Sequence, residues 1–564
     1  MRYIFLLLFI FTFSCNTINN NNKKYGTLAK TAMVSSAHPL ASKIGIDILK
    51  KGGNVFDAAI GVHFTLSVVY PNAGNLGGGG FAVYRLNNGE VGSLDFREKA
   101  PQLSFRDMYL KEFDGRLIVD DNKSKIGHQA SGVPGSVDGM VKLYEKFGSL
   151  DWSILLEPSI NLANNGFNIT KNQSNGLNRS KSSFEKVNNN TIPFLKDSDW
   201  KEDDILIQKD LAKTLTRIKN NKREGFYSGK TAELIINEMN DGSGIISLND
   251  LKNYSSIWRE PIIGYYKNHK IISMGPPSSG GIALIQLLHG AEQLKVNKYK
   301  HNSTEYIHLI SEIESRVYAD RATYLGDADF YNVPQKDLMS SNYLTNRFKD
   351  INDSVKTPSN KIKEGNVNLN ESEETTHFSI VDQAGNAISV TTTLNGSFGS
   401  KVVVNEAGFL LNNEMDDFSV KPGHPNMFGL IGGEANSIEP NKRMLSSMTP
   451  TIIEKNENLL MVLGTPGGST IITSVFQTIL NVLDFNMSMQ EAVDSKKFHH
   501  QWLPDMIIVE KNSISQGIRN KLKESGHSIM ERGTIGRMDC ILVNEDNSLE
   551  GGADKRGDDI AIGY

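Results

Sequence analysis

The chain has 564 residues, 39% of them hydrophobic, which is enough for an extensive buried core in one or more domains. Its formal net charge of −4 comes from interspersed charges of both signs, and this argues against nucleic acid as a natural partner. The sequence contains two cysteines, Cys15 and Cys540, so no structural disulfide is expected and Cys540 is predicted to be a buried thiol.

The N-terminus has the pattern of an export signal. Residues 4–11 form an apolar run that is too short for a membrane span, and residues 1–14 are predicted to be a signal peptide. Its end, Thr12-Phe13-Ser14-Cys15, resembles a bacterial lipoprotein cleavage site, although Thr12 and Phe13 depart from the usual pattern. We therefore expect lipid attachment at Cys15 and a polar tether over residues 15–24. An ordinary signal peptide and a freely secreted protein remain the alternative.

Helices and strands are predicted to alternate from about residue 25 to residue 374. Residues 39–51 have helical apolar spacing and end at a glycine pair, and a second predicted helix covers residues 55–69. Four glycines at 77–80 could suggest a dinucleotide-binding loop. They are followed by a strand-like segment at 81–86 rather than a helix, so nucleotide binding is not expected there.

A polar segment over residues 352–374 is predicted to be an exposed loop that leads into Thr375. Thr375 could simply begin a strand, because β-branched residues favour strands. It could also become a nucleophile if the chain is cut after Glu374. Attack of the Thr375 hydroxyl on the Glu374 carbonyl would give an ester, and hydrolysis would free an α-amine beside the same hydroxyl. Such an amine has an ordinary pKa of about 7.7–8.0, which suits a general base at neutral pH.

The residues that follow Thr375 have the pattern of a β-hairpin. Residues 378–382 and 386–393 alternate in the manner of strands, and residues 383–385 form a tight turn between them. This hairpin would return Thr393 and Asn395 to the side of Thr375.

A second candidate site lies further along the chain. Residues 459–463 are predicted to form a buried strand, 464–469 a glycine-containing loop, and 470–480 an apolar helix. Such a loop presents backbone N–H groups that could bind a phosphate or an oxyanion. The loop has no phosphate-binding lysine, so we favour the oxyanion.

Two other patterns carry less chemistry. Adjacent histidines at His499 and His500 point in opposite directions on an extended chain and lack nearby metal-ligand spacing, so a packing or hydrogen-bonding role is expected. The sequence also lacks a G-x-S-x-G motif, and the α/β-hydrolase hypothesis therefore loses its main support.

Several motifs together are similar to those of the gamma-glutamyltransferases, also called glutathione hydrolases, of the N-terminal-nucleophile hydrolase superfamily. These motifs cover residues 75–81, 95–98, 276–281, 318–327, 375–377, 410–418, 441–448, 467–469 and 498–504. The resemblance implies an α+β fold, a four-layer αββα sandwich formed by two chains of one precursor. The implied large subunit spans residues 25–374 and the small, catalytic subunit residues 375–564.

The resemblance also implies a role for each site residue. Thr375 is the nucleophile, Thr393 orients its amine and hydroxyl, and the N–H groups of Gly467 and Gly468 bind the oxyanion. The implied donor-binding residues are Arg97, Ser446 and Ser447 for the α-carboxylate and Glu414 and Asp417, assisted by Asn395, for the α-ammonium. Thr393 is also implied to be a substrate-binding residue. Phe428, in a loop at 421–430, matches an aromatic lid residue. Some relatives have Gln at the position of Glu414. The other interpretation of Arg97 is a surface ion pair with Glu98 or Asp95.

The implied reaction cleaves the γ-glutamyl amide of glutathione and related compounds through an ester on Thr375. Water then releases glutamate, or an amino acid or dipeptide accepts the group. No cofactor or metal is implied.

We expect an envelope location in a bacterium, periplasmic or lipid-anchored, with membrane contact only through the lipid. The alternatives are an acylase of glutaryl-β-lactams or other amides, and a surface binding lipoprotein that keeps the scaffold without self-cleavage. The complete set of Thr375, Thr393, Gly467 and Gly468 argues against the second.

Overall fold

The computed structural model describes residues 23–120, 122–362 and 375–564. Cys15, the predicted signal peptide and Glu374 therefore lie outside the described residues. The helices are α1 Pro39–Lys50, α2 Val55–Val69, α3 Ser136–Phe147, α4 Trp152–Asn165, α5 Lys171–Val187, α6 Lys209–Asn221, α7 Glu224–Tyr227, α8 Gly229–Asp241, α9 Leu248–Asn253, α10 Gly280–Gln293, α11 Thr304–Tyr324, α12 Gln335–Leu338, α13 Ser341–Phe348, α14 Ile471–Leu483, α15 Met489–Asp494 and α16 Gln516–Glu524.

The strands alternate with these helices in the first part of the chain and dominate after residue 375. They are β1 Thr27–Ala29, β2 Met33–Ser36, β3 Gly79–Arg85, β4 Val91–Asp95, β5 Leu110–Phe113, β6 Arg116–Val119, β7 Phe167–Asn168, β8 Ile205–Leu206, β9 Ile257–Arg259, β10 Ile262–Tyr266, β11 His269–Ser273, β12 Thr376–Val381, β13 Ala387–Thr393, β14 Thr451–Lys455, β15 Asn458–Leu463, β16 Phe498–His499, β17 Ile507–Glu510, β18 Ile529–Arg532, β19 Asp539–Val543, β20 Leu549–Ala553 and β21 Ile560–Gly563.

Two seven-stranded antiparallel sheets form the centre of the molecule. Sheet I has the order β21-β2-β12-β13-β3-β4-β9, and sheet II has the order β1-β20-β19-β15-β14-β11-β10. Apolar side chains between the sheets, including Phe81 and Val83 from sheet I and Ile272 and Val462 from sheet II, belong to one buried cluster. Since alternate side chains of a strand point to opposite faces, each sheet has a second apolar face to cover.

Helices cover both outer faces. Side chains of α1 to α4 share a buried cluster with sheet I residues such as Val34 and Ile388. Side chains of α10, α11 and α14 share another with sheet II residues such as Ile453 and Leu463. The layers are therefore helix, sheet, sheet, helix, and the predicted αββα sandwich is confirmed.

Local sequence signals explain several boundaries. The helix predicted at 39–51 ends at Lys50, and the helix predicted at 55–69 has those bounds. Asn54 begins α2 with a capping box, since its side chain accepts from the N–H groups of Phe56 and Asp57 and the Asp57 carboxylate accepts from the Asn54 N–H. The segment predicted as an apolar helix at 470–480 is α14, which extends three residues further.

Two predictions about individual side chains are also borne out. Both His499 ring nitrogens are hydrogen-bonded, Nδ1 to Thr473 Oγ1 at 2.8 Å and Nε2 to Gln501 Oε1 at 2.9 Å. Cys540 is a buried thiol in β19, and burial raises its pKa above the ordinary range. No helix among residues 23–120, 122–362 and 375–564 is both long and apolar enough to cross a membrane.

The segment before Thr375 is only partly as predicted. Residues 352–362 are mostly exposed, but Ser359 and Ile362 are buried. Ser359 is held by Trp502, since its hydroxyl donates to the Trp502 carbonyl at 2.7 Å and its carbonyl accepts from the Trp502 indole N–H at 3.1 Å. This part of the loop is therefore anchored to the body of the protein. Residues 363–374 lie outside the described ranges.

Candidate active site

The hairpin that carries Thr375 is built as its sequence predicts. Strand β12 pairs with β13 in the register Thr376 to Thr392, and Gly385 takes the positive φ of +81° required by the turn. Continuing this antiparallel register by one residue places Thr375 opposite Thr393. Thr375 is 4% exposed and lies on the wall of a buried cavity.

The glycine run at 77–80 supports the other side of Thr393. Strand β3 pairs with β13 so that Gly79 lies opposite Thr393. A Cβ atom at Gly78 would come within 2.1 Å of the Thr393 carbonyl oxygen, and one at Gly79 within 2.5 Å of the Phe96 carbonyl oxygen. The glycines therefore allow the close backbone approach that this part of the sheet requires.

Asn395 connects the hairpin to an acidic turn. Its φ is +73°, its N–H donates to Thr393 Oγ1 at 2.7 Å, and its side-chain amide donates to the Asn413 carbonyl at 2.9 Å. Asn413 precedes the 3₁₀ turn Glu414–Asp417. Asn395 thus fixes the position of Thr393 relative to the turn that carries Glu414 and Asp417.

Arg97 lies at the centre of a buried group of carboxylates. Its Nη1 is 2.7 Å from Glu414 Oε2 and 3.5 Å from Glu98 Oε2, and its Nη2 is 2.6 Å from Asp417 Oδ2. The Arg97 side chain is 1% exposed. The alternative interpretation holds in part: Arg97 does pair with Glu98, but this pair is buried rather than on the surface, and it belongs to a group that includes Glu414 and Asp417. Asp95 instead accepts from the Arg97 backbone N–H at 2.9 Å.

The electrostatics of this group reflect its burial. Burial raises the pKa of Glu98 to about 7, and the positive charge of Arg97 opposes this rise. Burial also raises the pKa values of Glu414 and Asp417 above their ordinary range, again against the effect of Arg97. Three carboxyl groups thus surround one guanidinium. Sequence reasoning named Glu98 only as an alternative ion-pair partner of Arg97 and did not place it in the candidate site, although it belongs to the motif at 95–98.

Ser446 and Ser447 form another wall of the cavity, next to a residue that sequence reasoning missed. Arg321, on α11, donates from Nη2 to Ser447 Oγ at 3.1 Å and from Nε to Ser279 Oγ at 2.9 Å. The Ser279 hydroxyl in turn donates to the Ser446 carbonyl at 2.6 Å. Arg321 belongs to the motif at 318–327, which was the one available signal for it.

The glycine loop after β15 is held in an unusual backbone conformation. Gly467 has φ +142° and Gly468 has φ +51°, at the start of the 3₁₀ turn Gly468–Thr470. The Gly467 carbonyl accepts from the Thr470 N–H at 2.9 Å and from its hydroxyl at 2.8 Å. Neither the Gly467 nor the Gly468 N–H donates to an acceptor in the described part of the chain. Gly468 lines the cavity and Gly467 borders the neighbouring opening, so both N–H groups remain available for an acceptor other than the described protein groups.

Phe428 forms part of the cavity wall and is 4% exposed. A Cβ at Gly468 would come within 2.5 Å of the Phe428 ring, so the ring packs directly on this glycine. The loop is held by Asn426, whose side-chain amide donates to Asp417 Oδ1 at 2.9 Å, and by Gln501, which donates to the Phe428 carbonyl at 3.3 Å. The loop that was predicted to be a lid therefore contributes Phe428 and Leu430 to the cavity wall.

One small cavity unites nearly all the predicted site residues. It has a volume of about 20 Å³ and is lined by Arg97, Arg321, Thr375, Thr393, Asn395, Glu414, Asp417, Phe428, Leu430, Ser446, Ser447, Met448, Gly468 and Ile471. Gly467 borders a second opening on the other side of Thr375, about 120 Å³ in volume, together with Tyr70 and Arg537. Within the described ranges no group of three or more His, Cys, Asp or Glu side chains could hold a metal ion.

Comparison with known proteins decides the family. Residues 41–564 match the family model described as gamma-glutamyltranspeptidase. The chain belongs to this family. The glutathione hydrolase proenzyme of Escherichia coli (strain K12) is 42% identical over 539 residues, covering 95% of this chain and 92% of that protein. The acylase ACY 1 proenzyme of Pseudomonas sp. (strain V22) is 32% identical over 537 residues, covering 94% and 93%.

Solved structures of this family and its neighbours have the same fold. The cephalosporin acylase from Bacillus halodurans superposes with a TM-score of 0.83 at 24% identity, covering 98% of this chain and 99% of that chain. The gamma-glutamyltranspeptidase of Helicobacter pylori is 42% identical with a TM-score of 0.57, covering 63% of this chain and 99% of that chain. The acylase comparison supports the fold alone.

Proposed function

We propose that this family member is a self-cleaving gamma-glutamyltransferase and glutathione hydrolase that uses Thr375 as its nucleophile. The observation that carries the proposal is that Thr375 lines the same cavity as the Arg97 guanidinium, which is flanked by the carboxylates of Glu414 and Asp417. A γ-glutamyl donor has an α-carboxylate and an α-ammonium on one carbon, which this arrangement complements. The relatives named glutathione hydrolase proenzymes support the same activity.

Maturation would separate the chain between Glu374 and Thr375. The resulting large subunit would comprise residues 25–374 and the small subunit residues 375–564. Cleavage would leave the Thr375 α-amine beside its own hydroxyl, opposite Thr393. One residue would then provide both nucleophile and general base. The similar glutathione hydrolases are described as proenzymes, which supports a precursor that is cleaved in this way.

The proposed reaction proceeds in two acyl-transfer steps. The Thr375 hydroxyl adds to the γ-carbonyl carbon while its proton passes to the Thr375 α-amine. The oxyanion is stabilised by the N–H groups of Gly467 and Gly468. Collapse breaks the amide bond, and the leaving amine takes the proton; for glutathione this amine is cysteinylglycine. Water or an acceptor amine then attacks the ester and frees Thr375. The sequence of bonds made and broken requires no cofactor.

Donor binding would reorganise the charges around Arg97. The two terminal nitrogens of Arg97 lie 2.7 Å from Glu414 Oε2 and 2.6 Å from Asp417 Oδ2. The α-carboxylate of a donor could accept hydrogen bonds from the guanidinium fork of Arg97. The α-ammonium of the same donor would then replace Arg97 as the cation that pairs with Glu414 and Asp417. Ser446 and Ser447 would add hydroxyl donors to the carboxylate. The buried charges would therefore remain paired before and after binding.

The lid must open for this to occur. A cavity of about 20 Å³ has room for roughly one water molecule, not for a glutamyl group. The Asn426 amide that ties the lid to Asp417 would be released when Asp417 pairs with the donor ammonium. The Asp417 carboxylate would thus take part both in opening the lid loop and in recognising the donor.

An acylase is the second candidate because the ACY 1 proenzymes belong among the relatives and cover nearly the whole chain. A glutaryl group retains the carboxylate of a γ-glutamyl group and lacks its ammonium. When Arg97 binds the glutaryl carboxylate, this donor would bring no ammonium group to pair with Glu414 and Asp417 in its place. Two buried carboxylates would be left partly unpaired, which is costly. The acidic pair therefore favours the γ-glutamyl donor.

Specificity constants for matched anilides test this choice. The wild-type enzyme should prefer γ-glutamyl-p-nitroanilide to glutaryl-p-nitroanilide by roughly 10- to 100-fold, since charged hydrogen bonds contribute about 1.5–3 kcal/mol. Asp417→Ala should narrow this preference, mainly by slowing γ-glutamyl turnover. Arg97→Lys should impair both donors because the bidentate fork is lost.

The control for these variants is Glu434→Ala, which removes an exposed carboxylate paired with Arg106 and should leave both constants unchanged. Equal specificity constants for the two anilides in the wild-type enzyme would contradict the transferase proposal and favour the acylase.

We also propose that the protein is exported and anchored through a lipid on Cys15, with residues 15–24 as the tether. The proposal rests on the sequence pattern at residues 1–15, and it places the enzyme at the bacterial cell envelope, periplasmic or lipid-anchored. Cys15→Ala should move the protein from the membrane fraction to the soluble fraction of cells. Wild-type protein that is soluble and begins at a residue other than Cys15 would indicate an ordinary signal peptide.

A further inference from the structure

Arg321 is a buried guanidinium that has no carboxylate partner among the described residues. It is 4% exposed, and its two hydrogen bonds to side chains go to the neutral hydroxyls of Ser279 and Ser447. None of the carboxylates in residues 23–120, 122–362 and 375–564 lies within 4.0 Å of it, and Asp417 acts on it only from a greater distance. Burial lowers the pKa of Arg321.

Other buried arginines of this protein are compensated. Arg316, on the same helix, is 2.9 Å from Glu312 and 3.3 Å from Asp350, although its side chain is only 2% exposed. Arg97 faces three carboxylates. A buried charge without a counter-ion is unfavourable, and such a charge is stabilised when a ligand brings the opposite charge. Arg321 lines the donor cavity, so a ligand there could do this.

The hydrogen-bond directions show how the charge would reach a ligand. Because Ser447 Oγ accepts from Arg321, the Ser447 hydroxyl proton is available for another acceptor. Ser279 cannot serve in the same way, since its hydroxyl already donates to the Ser446 carbonyl. The polarised hydroxyl of Ser447 lines the same cavity as Arg97.

We propose that Arg321 is a specificity-determining positioning residue, which acts through Ser447 to supply the uncompensated positive charge for the donor α-carboxylate. This inference rests on the proposed function and deepens it. Arg97 provides the geometry of a fork, but its charge, even together with that of the donor ammonium, does not exceed the charges of Glu98, Glu414 and Asp417 when these are ionised. Arg321 provides the net attraction for the carboxylate. The site would therefore select acyl groups that bear a carboxylate, with Arg97 setting the hydrogen-bond geometry and Arg321 supplying the net positive charge.

Three donors that differ in one charged group each test the proposal. They are γ-glutamyl-p-nitroanilide, glutaryl-p-nitroanilide, which lacks the ammonium, and 4-aminobutyryl-p-nitroanilide, which lacks the α-carboxylate. In Arg321→Gln, kcat/KM should fall about 10- to 100-fold for the two carboxylate donors, as expected for a lost charged interaction. The constant for the 4-aminobutyryl donor should stay within about threefold, because that donor never used the charge.

The control variant is Ser279→Ala, which removes a neutral partner of Arg321 and keeps its charge. It should change all three constants by the same factor. An equal loss for all three donors in Arg321→Gln would show a merely structural role and overturn the proposal. Where 4-aminobutyryl turnover is too slow to measure, competitive inhibition by glutamate and by 4-aminobutyrate replaces it. Selective weakening of glutamate supports the proposal, and equal weakening contradicts it.

Processing and folding of each variant are checked by the appearance of two bands on a denaturing gel. If Arg321→Gln is not processed, Arg321→Lys takes its place, since lysine keeps the charge and loses the fork between Ser279 and Ser447. It should show a smaller loss confined to carboxylate donors. The outcome is separable from the proposed function, because a wild-type preference for glutaryl over γ-glutamyl would refute the transferase and leave the carboxylate comparison valid.

Discussion

Thr375→Ala should remain a single uncut chain with no measurable turnover of γ-glutamyl-p-nitroanilide. The physical reason is that one hydroxyl serves both reactions: it attacks the Glu374 carbonyl during maturation and the donor carbonyl during catalysis. Alanine leaves the strand pairing of β12 and β13 intact, because no part of the β12 ladder itself is changed. Denaturing gels and anilide assays on the purified protein measure both effects.

The matched control is Thr376→Val at the next position. The Thr376 hydroxyl is buried, and within the described residues it has no hydrogen-bond partner, so a methyl group of similar shape should replace it at little cost. This variant should be processed and active. Two bands from Thr375→Ala would show that another group performs the cleavage and would remove Thr375 from the proposed mechanism.

Gly468→Val should reduce kcat by roughly 10²- to 10³-fold, the usual loss when one oxyanion donor is misplaced, or about 2.7–4 kcal/mol. The backbone at Gly468 has φ +51°, where a β-branched residue is strained, and a Cβ would meet the Phe428 ring at 2.5 Å. Both effects must displace the N–H group from the cavity. Assays on the processed enzyme under saturating donor give the comparison.

Two further variants identify the cause of this loss. Gly517→Val, on the exposed face of α16, has no atom closer than 3.9 Å to the added Cβ and should keep full activity. Combining Phe428→Ala with Gly468→Val removes the ring that clashes. If this double variant remains slow, the displaced backbone is responsible. Near-normal turnover in a folded, processed Gly468→Val enzyme would exclude this loop from the mechanism.

The elements near the nucleophile could be predicted from sequence because their signals are local. Period-two alternation and one turn are enough to define the hairpin, and its antiparallel register then fixes Thr393 opposite Thr375. A glycine loop between an apolar strand and an apolar helix likewise indicates an N–H-rich site. The four-layer order is not local: it came from the resemblance to a family, and the buried clusters on both faces of each sheet show its physical basis.

The partners of the charged residues could not be predicted from the sequence. A pattern does not show that Arg97 pairs with the same acids that were assigned to the donor ammonium, because this pairing joins segments distant in sequence inside a buried site. Arg321 was missed for a related reason. Helix α11 is buried along most of its length, so its periodicity does not separate a residue that lines a cavity from one in the core. The closed position of Phe428 also depends on contacts distant in sequence.

N-terminal sequencing of the smaller fragment of the purified wild-type protein tests the central claim most directly. The proposal that Thr375 becomes the nucleophile through self-cleavage predicts one sequence, beginning Thr-Thr-His-Phe-Ser at Thr375 and continuing to Tyr564. The fragment should form in purified precursor without added protease. A single uncut chain, or a fragment that begins at any other residue, would contradict the account.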